Sequence, residues 1–252
     1  MDRRIDFIIA GAQKCGTTAL DTLLRRHPNI RMASIKETHF FDGNREWSNP
    51  SYEALHELFD WSDADVVRGE ATPIYTYWPG CLERIRAYAR SIRLLVMLRH
   101  PSFRAFSHWR MSATRAEESL PFDQAIRTGR ERVGSFHRVY SYVERGLYAR
   151  QAERLLSLFP REQILFLATD ELWHDPQGQM DRITTFLGQA PFTSVPREYI
   201  VPLQSDDFGE MPPSDRACLD ALFRSDIERT AELTGLDLSR WLRPEYREPM
   251  GI

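Results

Sequence analysis

Three short, nearly continuous runs of apolar residues stand out along the chain. They are residues 5–10 (IDFIIA), 92–98 (IRLLVML) and 164–168 (ILFLA). Runs of this length without polar alternation are typical of strands that are buried on both faces, as in a parallel sheet. A weaker run at 66–69 (VVRG) predicts a further short strand.

The segments between these runs repeat apolar residues at the spacing of a helix that is buried on one side. Helices are predicted at 17–27, 79–90, 101–115, 147–159, 178–187 and 213–234. Strands that alternate with helices imply right-handed crossovers. The predicted fold is therefore α/β with three layers, in which a central, mostly parallel sheet is flanked by helices.

Two segments show no clear periodicity, 116–146 and 190–212. Irregular connections on a rigid scaffold often carry function, so both are expected to be lids or loops that face a substrate. No linker divides the chain, and residues 1–252 are expected to form one domain.

Composition argues against several classes of protein. The 252 residues carry 33 basic and 36 acidic side chains, a balance that disfavours a nucleic-acid binder. Three cysteines without Cys-x-x-Cys spacing disfavour a disulfide framework or a zinc site and favour a reducing compartment. The apolar run at 5–12 is too short for a signal peptide or a membrane span. The expectation is a soluble, cytoplasmic protein without stable membrane insertion, and the abundance of Arg suggests a bacterial source.

Lysine is rare in this sequence. Of the 33 basic residues, 31 are Arg, and the two lysines are Lys14 and Lys36. Codon bias explains the preference for Arg. The alternative is that these two positions require an ammonium group.

The loop after the first predicted strand has the spacing of a phosphate-binding loop. Four residues separate Gly11 from Gly16, and the predicted helix begins at Thr17. Glycines let backbone N–H groups turn inward, and a helix N-terminus attracts anions. Nucleoside triphosphatases have Lys where Thr17 stands, whereas here the lysine is Lys14. The loop is predicted to hold a single 5′-phosphate in a P-loop-like fold, although a tight turn without a ligand has the same spacing.

A second anion site is predicted where the second strong strand ends. Arg99 follows that strand, and Ser107 lies about two turns into the next predicted helix. A guanidinium and a hydroxyl suit a phosphate, and open α/β sheets bind ligands at this edge. Arg99 could instead pair with a carboxylate, and Ser107 could be an ordinary helix residue. Two anion sites on one sheet edge nevertheless suggest a nucleotide with two separate phosphates.

Six stretches in this order resemble one enzyme family. They are AQKCGTTAL (12–20), HPNI (27–30), KETHFFD (36–42), RGEATPIY (68–75), RLLVMLRHPSFRAFSHW (93–109) and GLYARQAERLLSLFP (146–160). The combination resembles the sulfotransferases that use 3′-phosphoadenosine-5′-phosphosulfate (PAPS). More closely, it resembles the branch with the heparan sulfate sulfotransferases and their bacterial relatives.

This resemblance implies transfer of the sulfuryl group of PAPS, without a required metal, to an acceptor. The acceptor would be a hydroxyl, or less favourably an amine, of a small molecule, glycolipid or glycan. The family's first loop binds the 5′-phosphosulfate, and its strand-end Arg and Ser bind the 3′-phosphate. By resemblance, the nucleotide-binding residues are Lys14, Cys15, Gly16, Thr17, Thr18, Arg99 and Ser107.

The stretch 36–42 (KETHFFD) holds the candidate base. The acceptor loses a proton as it attacks, so a base within hydrogen-bond reach is useful, and a cation stabilises the leaving phosphate. Lys14 suits the second role because a compact, mobile ammonium can stay close to the bridging oxygen of the leaving phosphate. Glu37 and His39 both qualify as the base, and at strand spacing they would face the same side. The resemblance favours Glu37, with His39 orienting it or the acceptor, whereas the cytosolic small-molecule branch uses a His.

Two features depart from the family pattern. Heparan-acting relatives often have Lys where Ala71 stands, and its absence weakens any claim for a polyanionic glycan. The late loop is usually basic in relatives, but here 198–215 contains no Lys or Arg, and Arg197 and Arg216 flank it.

Two other functions are weighed against sulfotransfer. A P-loop kinase or nucleoside triphosphatase is disfavoured by Thr17 and Arg99. A non-catalytic nucleotide-binding module predicts that Glu37→Ala leaves all function intact.

Overall fold

The computed structural model describes residues 3–195 and 208–249. Its centre is a sheet in which five parallel strands lie in the order β2-β3-β1-β4-β5. The strands are β1 (Phe7–Gly11), β2 (Ile30–Met32), β3 (Val67–Ala71), β4 (Arg93–Leu98) and β5 (Ile164–Ala168). The predicted parallel sheet is confirmed, and the burial of every residue of β1 explains its unbroken apolar run.

Helices connect these strands and flank the sheet. They are α1 (Thr17–Leu24), α2 (Glu53–His56), α3 (Cys81–Tyr88), α4 (Pro101–Thr114), α5 (Phe122–Arg132), α6 (His137–Tyr140), α7 (Tyr148–Leu158), α8 (Thr169–His174), α9 (Pro176–Leu187) and α10 (Pro213–Thr234). The three-layer α/β prediction is confirmed. Within the described residues, no helix is long and apolar enough to cross a membrane.

The structure adds elements that periodicity did not predict. The segment 116–146 contains α5 and α6, although α5 buries few apolar side chains, among them Phe122 and Ile126. Strand β2 has three residues, too few to show a pattern. Part of the other aperiodic segment, 196–207, lies outside the described residues, as does Arg197.

The order of the strands determines where a ligand site can form. From β1 the chain proceeds to β2 and β3 on one side of the sheet, then to β4 and β5 on the other. The carboxyl ends of β1 and β4 therefore flank the point where strand succession reverses, which is where open α/β sheets bind ligands. The loop 12–16 follows β1 and Arg99 follows β4, so the topology brings both predicted anion sites to this point.

Candidate active site

The loop after β1 presents backbone N–H groups at the start of α1. Lys14 (φ 69°) and Gly16 (φ 82°) adopt the left-handed conformation that curls the loop. Gly16 is the N-cap of α1, no side chain caps the helix, and its first turn, which includes Thr17 and Thr18, has no acidic residue. The first-turn N–H groups thus need an external acceptor, and this donor set fits a phosphate.

Contacts from the β5 side of the sheet hold this loop in place. The Thr169 hydroxyl lies 2.7 Å from the carbonyl oxygen of Cys15 and 3.0 Å from that of Leu98. The buried Cys15 thiol lies 3.5 Å from the Tyr148 hydroxyl, and burial raises its pKa. The Cys15 N–H donates to the Ala12 carbonyl at 3.2 Å. Cys15 therefore supports the loop from within, and its direct contact with a nucleotide stays a prediction.

Lys14 links the loop after β1 to the candidate base. Burial, with Arg99 and Arg115 nearby, lowers the pKa of Lys14 to about 8, while the charge of Glu37 opposes this shift. Lys14 therefore remains largely protonated at neutral pH. The ammonium and the Glu37 carboxylate act on each other within one site.

Arg99 lies beside this loop and is paired with a carboxylate. Its Nε lies 2.6 Å from Glu248 Oε1, and its Nη2 contacts Glu248 Oε2. A third N–H donates to the Lys14 carbonyl at 3.2 Å. Burial disfavours the charged form of Arg99, but the ion pair with Glu248 outweighs this effect and raises the pKa of Arg99. The carboxylate weighed in the sequence as an alternative partner is therefore present. The other predicted 3′-phosphate ligand, Ser107, is partly exposed in the second turn of α4.

Two further guanidinium groups lie beneath the site, and no motif in the sequence indicated them. Arg104 is fully buried and donates to the Tyr142 carbonyl, while its Nε and Nη1 have no hydrogen-bond partner. Arg145, also buried, donates to the side-chain oxygen of Gln13 in the loop. Burial and the charge of Arg104 lower the pKa of Arg145 to about 9. Along the described chain, no carboxylate forms an ion pair with either group. The floor of the site is thus positively charged and favours an anion.

Glu37, His39 and Asp42 form a connected acid–base group. His39 Nδ1 lies 3.0 Å from Asp42 Oδ2, and its Nε2 lies 3.6 Å from Glu37 Oε2. The Nη1 of Arg138 lies 2.8 Å from the same oxygen, Asp42 Oδ2. The hydrogen bond to Asp42 and the ion pair with Glu37 raise the pKa of His39 to about 9. The bond to His39, followed by Lys36, lowers the pKa of Glu37 to about 2 despite burial. At neutral pH an imidazolium therefore lies between two carboxylates.

Asp42 was missed as a functional residue in the sequence. It lies inside the matched stretch KETHFFD, three residues after His39, and this spacing was an available signal. Burial favours its neutral form, but the bonds from His39 and Arg138 outweigh this and lower its pKa.

The segment that carries Glu37 and His39 is not a strand. Both residues are left-handed, with φ values of 60° and 50°, a conformation that costs a non-glycine residue about 1–2 kcal/mol. The predicted strand spacing of Glu37 and His39 is therefore wrong, and the two side chains meet because the backbone turns. Main-chain contacts with the end of β3 hold this turn: the Glu37 N–H donates to the Ala71 carbonyl at 2.9 Å.

Lys36, which the sequence left without a role, pairs with the candidate base. Its Nζ lies 2.6 Å from Glu37 Oε1. Both lysines of the chain thus act electrostatically on Glu37, Lys36 through a hydrogen bond and Lys14 through its charge.

A cavity of about 530 Å³ opens beside the acid–base group. Trp78 forms part of its wall, and the guanidinium of Arg138 stacks over this ring at 4.2 Å from its centroid. The residues that line the cavity are His39, Asp42, Gly43, Asn44, Trp78, Arg84 and Arg138. Arg138 belongs to α6, so the segment 116–146 lines part of this cavity.

Comparison with known proteins agrees with this architecture. Residues 4–201 match a family model described as the sulfotransferase domain. The chain is 30% identical over 181 residues to human heparan sulfate glucosamine 3-O-sulfotransferase 3B1 and 33% identical to human heparan sulfate glucosamine 3-O-sulfotransferase 6. Both matches cover 72% of this chain, but 45% and 51% of the respective relatives. The chain therefore spans about half the length of these curated relatives.

A solved structure matches over nearly the whole chain. The sulfotransferase from Alicyclobacillus acidocaldarius is 32% identical, has a TM-score of 0.83, and is covered completely by 96% of this chain. Mouse sulfotransferase SULT7A1 complexed with PAP shares the fold at a TM-score of 0.57 and 14% identity, with 92% of this chain and 88% of that one covered.

The chain belongs to the sulfotransferase domain family. The resemblance noted in the sequence is thereby confirmed.

Proposed function

We propose that this protein transfers the sulfuryl group of PAPS to an acceptor hydroxyl. The main observation in support is that three groups lie together at one edge of the sheet. The loop that contains Lys14 is hydrogen-bonded to Arg99, and the charge of Glu37 acts on Lys14. Family membership supports this assignment.

The residues after β1 and β4 suit a nucleotide that has phosphates at two positions. The N–H groups at the start of α1, with Gly16, Thr17 and Thr18, would hold the 5′-phosphosulfate. Arg99 and Ser107 would hold the 3′-phosphate. PAPS supplies the activated sulfuryl group, and the positive floor formed by Arg104 and Arg145 favours its several negative charges.

The protonation states favour Glu37 over His39 as the base. At neutral pH His39 is protonated and has no lone pair with which to accept a proton, whereas Glu37 is ionised. Glu37 would take the acceptor proton, and His39 would hold the carboxylate in place from its position on Asp42. Lys14 would stabilise the charge that develops on the 5′-phosphate oxygen.

The cavity beside His39 is the proposed acceptor site. It is large enough for a small molecule or one end of a glycolipid or glycan, and Trp78 with Arg138 stacked on it forms a wall against which a ring can pack. A hydroxyl is favoured over an amine because an alkylammonium is protonated at neutral pH and has no lone pair with which to attack, whereas a neutral hydroxyl keeps its lone pairs.

A P-loop kinase or triphosphatase has little support in the structure. It needs an accessible acidic residue at a strand end to hold magnesium. Glu70, near the end of β3, is fully buried. Asp170, just after β5, is buried and accepts hydrogen bonds from Trp241 Nε1 at 3.2 Å and the Tyr246 hydroxyl at 3.1 Å.

Two measurements test the proposal. In thermal unfolding, 3′,5′-bisphosphoadenosine at 100 times its dissociation constant should stabilise the protein by about 2.7 kcal/mol, and ATP with magnesium should stabilise it less. Incubation with sulfur-labelled PAPS and a panel of hydroxylated acceptors should yield a labelled product. Stabilisation by ATP and not by the bisphosphate would refute the assignment.

A further inference from the structure

Glu70 is a buried carboxyl group that the proposed reaction does not use. It is the penultimate residue of β3 and is 0% exposed. Its Oε2 accepts hydrogen bonds from Thr72 Oγ1 at 2.7 Å and Thr38 Oγ1 at 3.2 Å, while Oε1 has no hydrogen-bond partner. In the described part of the chain no cation forms an ion pair with it. Burying an unpaired carboxyl is costly, so its presence calls for a role that an apolar side chain could not fill.

The contact with Thr38 indicates this role. Thr38 lies between Glu37 and His39, the two left-handed residues of the acid–base group. Its hydroxyl is also 3.3 Å from the Tyr75 hydroxyl and accepts the Phe40 N–H at 3.3 Å. Thr38 is thus anchored to the sheet, while the side chains of its two neighbours remain partly exposed.

A second contact ties the same turn to the same carboxyl. Thr72, whose hydroxyl donates to Glu70, accepts the backbone N–H of His39 at 3.5 Å. Glu70 therefore reaches the turn at two points, directly at Thr38 and through Thr72 at His39. A left-handed turn of non-glycine residues persists only where surrounding contacts determine it.

We infer that Glu70 is a positioning residue, which holds Glu37 and His39 in their working geometry through the hydroxyl groups of Thr38 and Thr72. The expected effect of this positioning on kcat rests on the proposed function. The structural consequence, the geometry of His39 against Glu37 and Asp42, does not depend on which reaction is catalysed.

Glu70→Leu and Glu70→Gln separate positioning from simple packing. Leucine fills the space without an acceptor, so kcat should fall about 10²-fold, the usual effect of a misplacement of about 1 Å, while the KM for PAPS stays within about twofold. The melting temperature should hold or rise, because the buried carboxyl is gone. Glutamine keeps an acceptor oxygen for the hydroxyl groups of Thr38 and Thr72, so it should restore most of kcat.

The pKa of His39 can be measured by NMR titration of the nucleotide-free protein. It reports the position of the imidazole against Glu37 and Asp42 and requires no catalytic activity. Asp42 and Glu37 face the imidazole and raise this pKa to about 9. Lys36 pairs with Glu37, and Arg138 pairs with Asp42. In Glu70→Leu the pKa of His39 should fall by at least one unit toward 6.5, and in Glu70→Gln it should not move.

Thr38→Val tests the same contact from the other side. It should reproduce the loss of kcat and the fall in the His39 pKa. It therefore tests the inference even if Glu70→Leu does not fold. Thr184→Val, at a buried threonine whose hydroxyl bonds within α9, is the matched control and should change neither quantity.

Three results would overturn the inference: an unchanged kcat and His39 pKa in Glu70→Leu, no rescue of either quantity by Glu70→Gln, or an unchanged His39 pKa in Thr38→Val. If the His39 pKa falls as expected but no variant, nor the parent, transfers sulfate, the positioning role stands and the proposed reaction is wrong.

Discussion

The guanidinium of Arg99 and the carboxylate of Glu248 form a two-point ion pair at the carboxyl end of β4. The two residues are 149 positions apart, and their side chains are 17% and 13% exposed. Glu248 thus lies against the group proposed to bind the 3′-phosphate, and a carboxylate and a phosphate compete for the same fork of N–H donors.

Removal of this competitor should strengthen nucleotide binding. For Glu248→Gln we expect 3′,5′-bisphosphoadenosine to bind about 3–10-fold more tightly by calorimetry, equivalent to about 0.7–1.4 kcal/mol. Glu245→Gln, at an exposed acid in the same segment, is the control and should bind as the parent does. Equal affinity in all three proteins would mean that the phosphate does not displace Glu248.

Lys14→Arg should fold normally and lose turnover by about 10²-fold. The charge is kept, but a planar guanidinium cannot replace a compact ammonium in a curled loop. The measurements are kcat with PAPS and the melting temperature. Near-normal activity would leave codon bias as the sufficient explanation of this lysine.

The same lysine predicts an alkaline limit to activity. Its pKa of about 8 means that the ammonium is lost as the pH rises through 8. We expect kcat/KM for PAPS to decline over that range in the parent protein. The residual activity of Lys14→Arg should show no such decline, because Arg keeps its charge.

Glu37→Gln and His39→Ala distinguish the two candidate bases. Loss of a general base lowers turnover about 10²–10⁴-fold, so Glu37→Gln should show this loss with bisphosphate binding retained. His39→Ala should cost less, because His39 is already protonated in the parent. Abolished turnover in His39→Ala beside an active Glu37→Gln would reverse the assignment.

His39 also predicts how stability depends on pH. Its pKa is about 9 in the folded protein, against 6.5 for an ordinary histidine. A raised pKa stabilises fully below pH 6.5, and the contribution disappears as the pH rises through 9. Urea unfolding should show this decline in the parent and in His174→Gln, an exposed control, and a flatter profile in His39→Gln. A parent profile without the decline would contradict the ion-paired geometry.

Features that depend on local sequence were predictable. Strands of a buried parallel sheet appear in the sequence as continuous apolar runs, and β5 has the bounds expected from its run. Lys14 and Arg99 were found because each follows such a run. Topology alone then places them together.

Features that depend on distant contacts or on backbone torsion were not predictable. Arg145 reaches Gln13 across 132 residues, and Glu248 lies still farther from Arg99. Glu37 and His39 were found as residues, but their geometry was wrong because sequence spacing does not reveal that two non-glycine residues are left-handed. The helix α5 escaped notice because most of its positions are polar.

The buried guanidinium groups of Arg104 and Arg145 bear on the kinetics of a full catalytic cycle. Without an anion above them, these two charges repel each other in a poorly solvated interior, and Arg104 also repels Lys14. Under the proposed reaction, departure of the bisphosphate product leaves these charges without a counter-ion. The same charge arrangement that favours nucleotide binding would therefore slow the release of product.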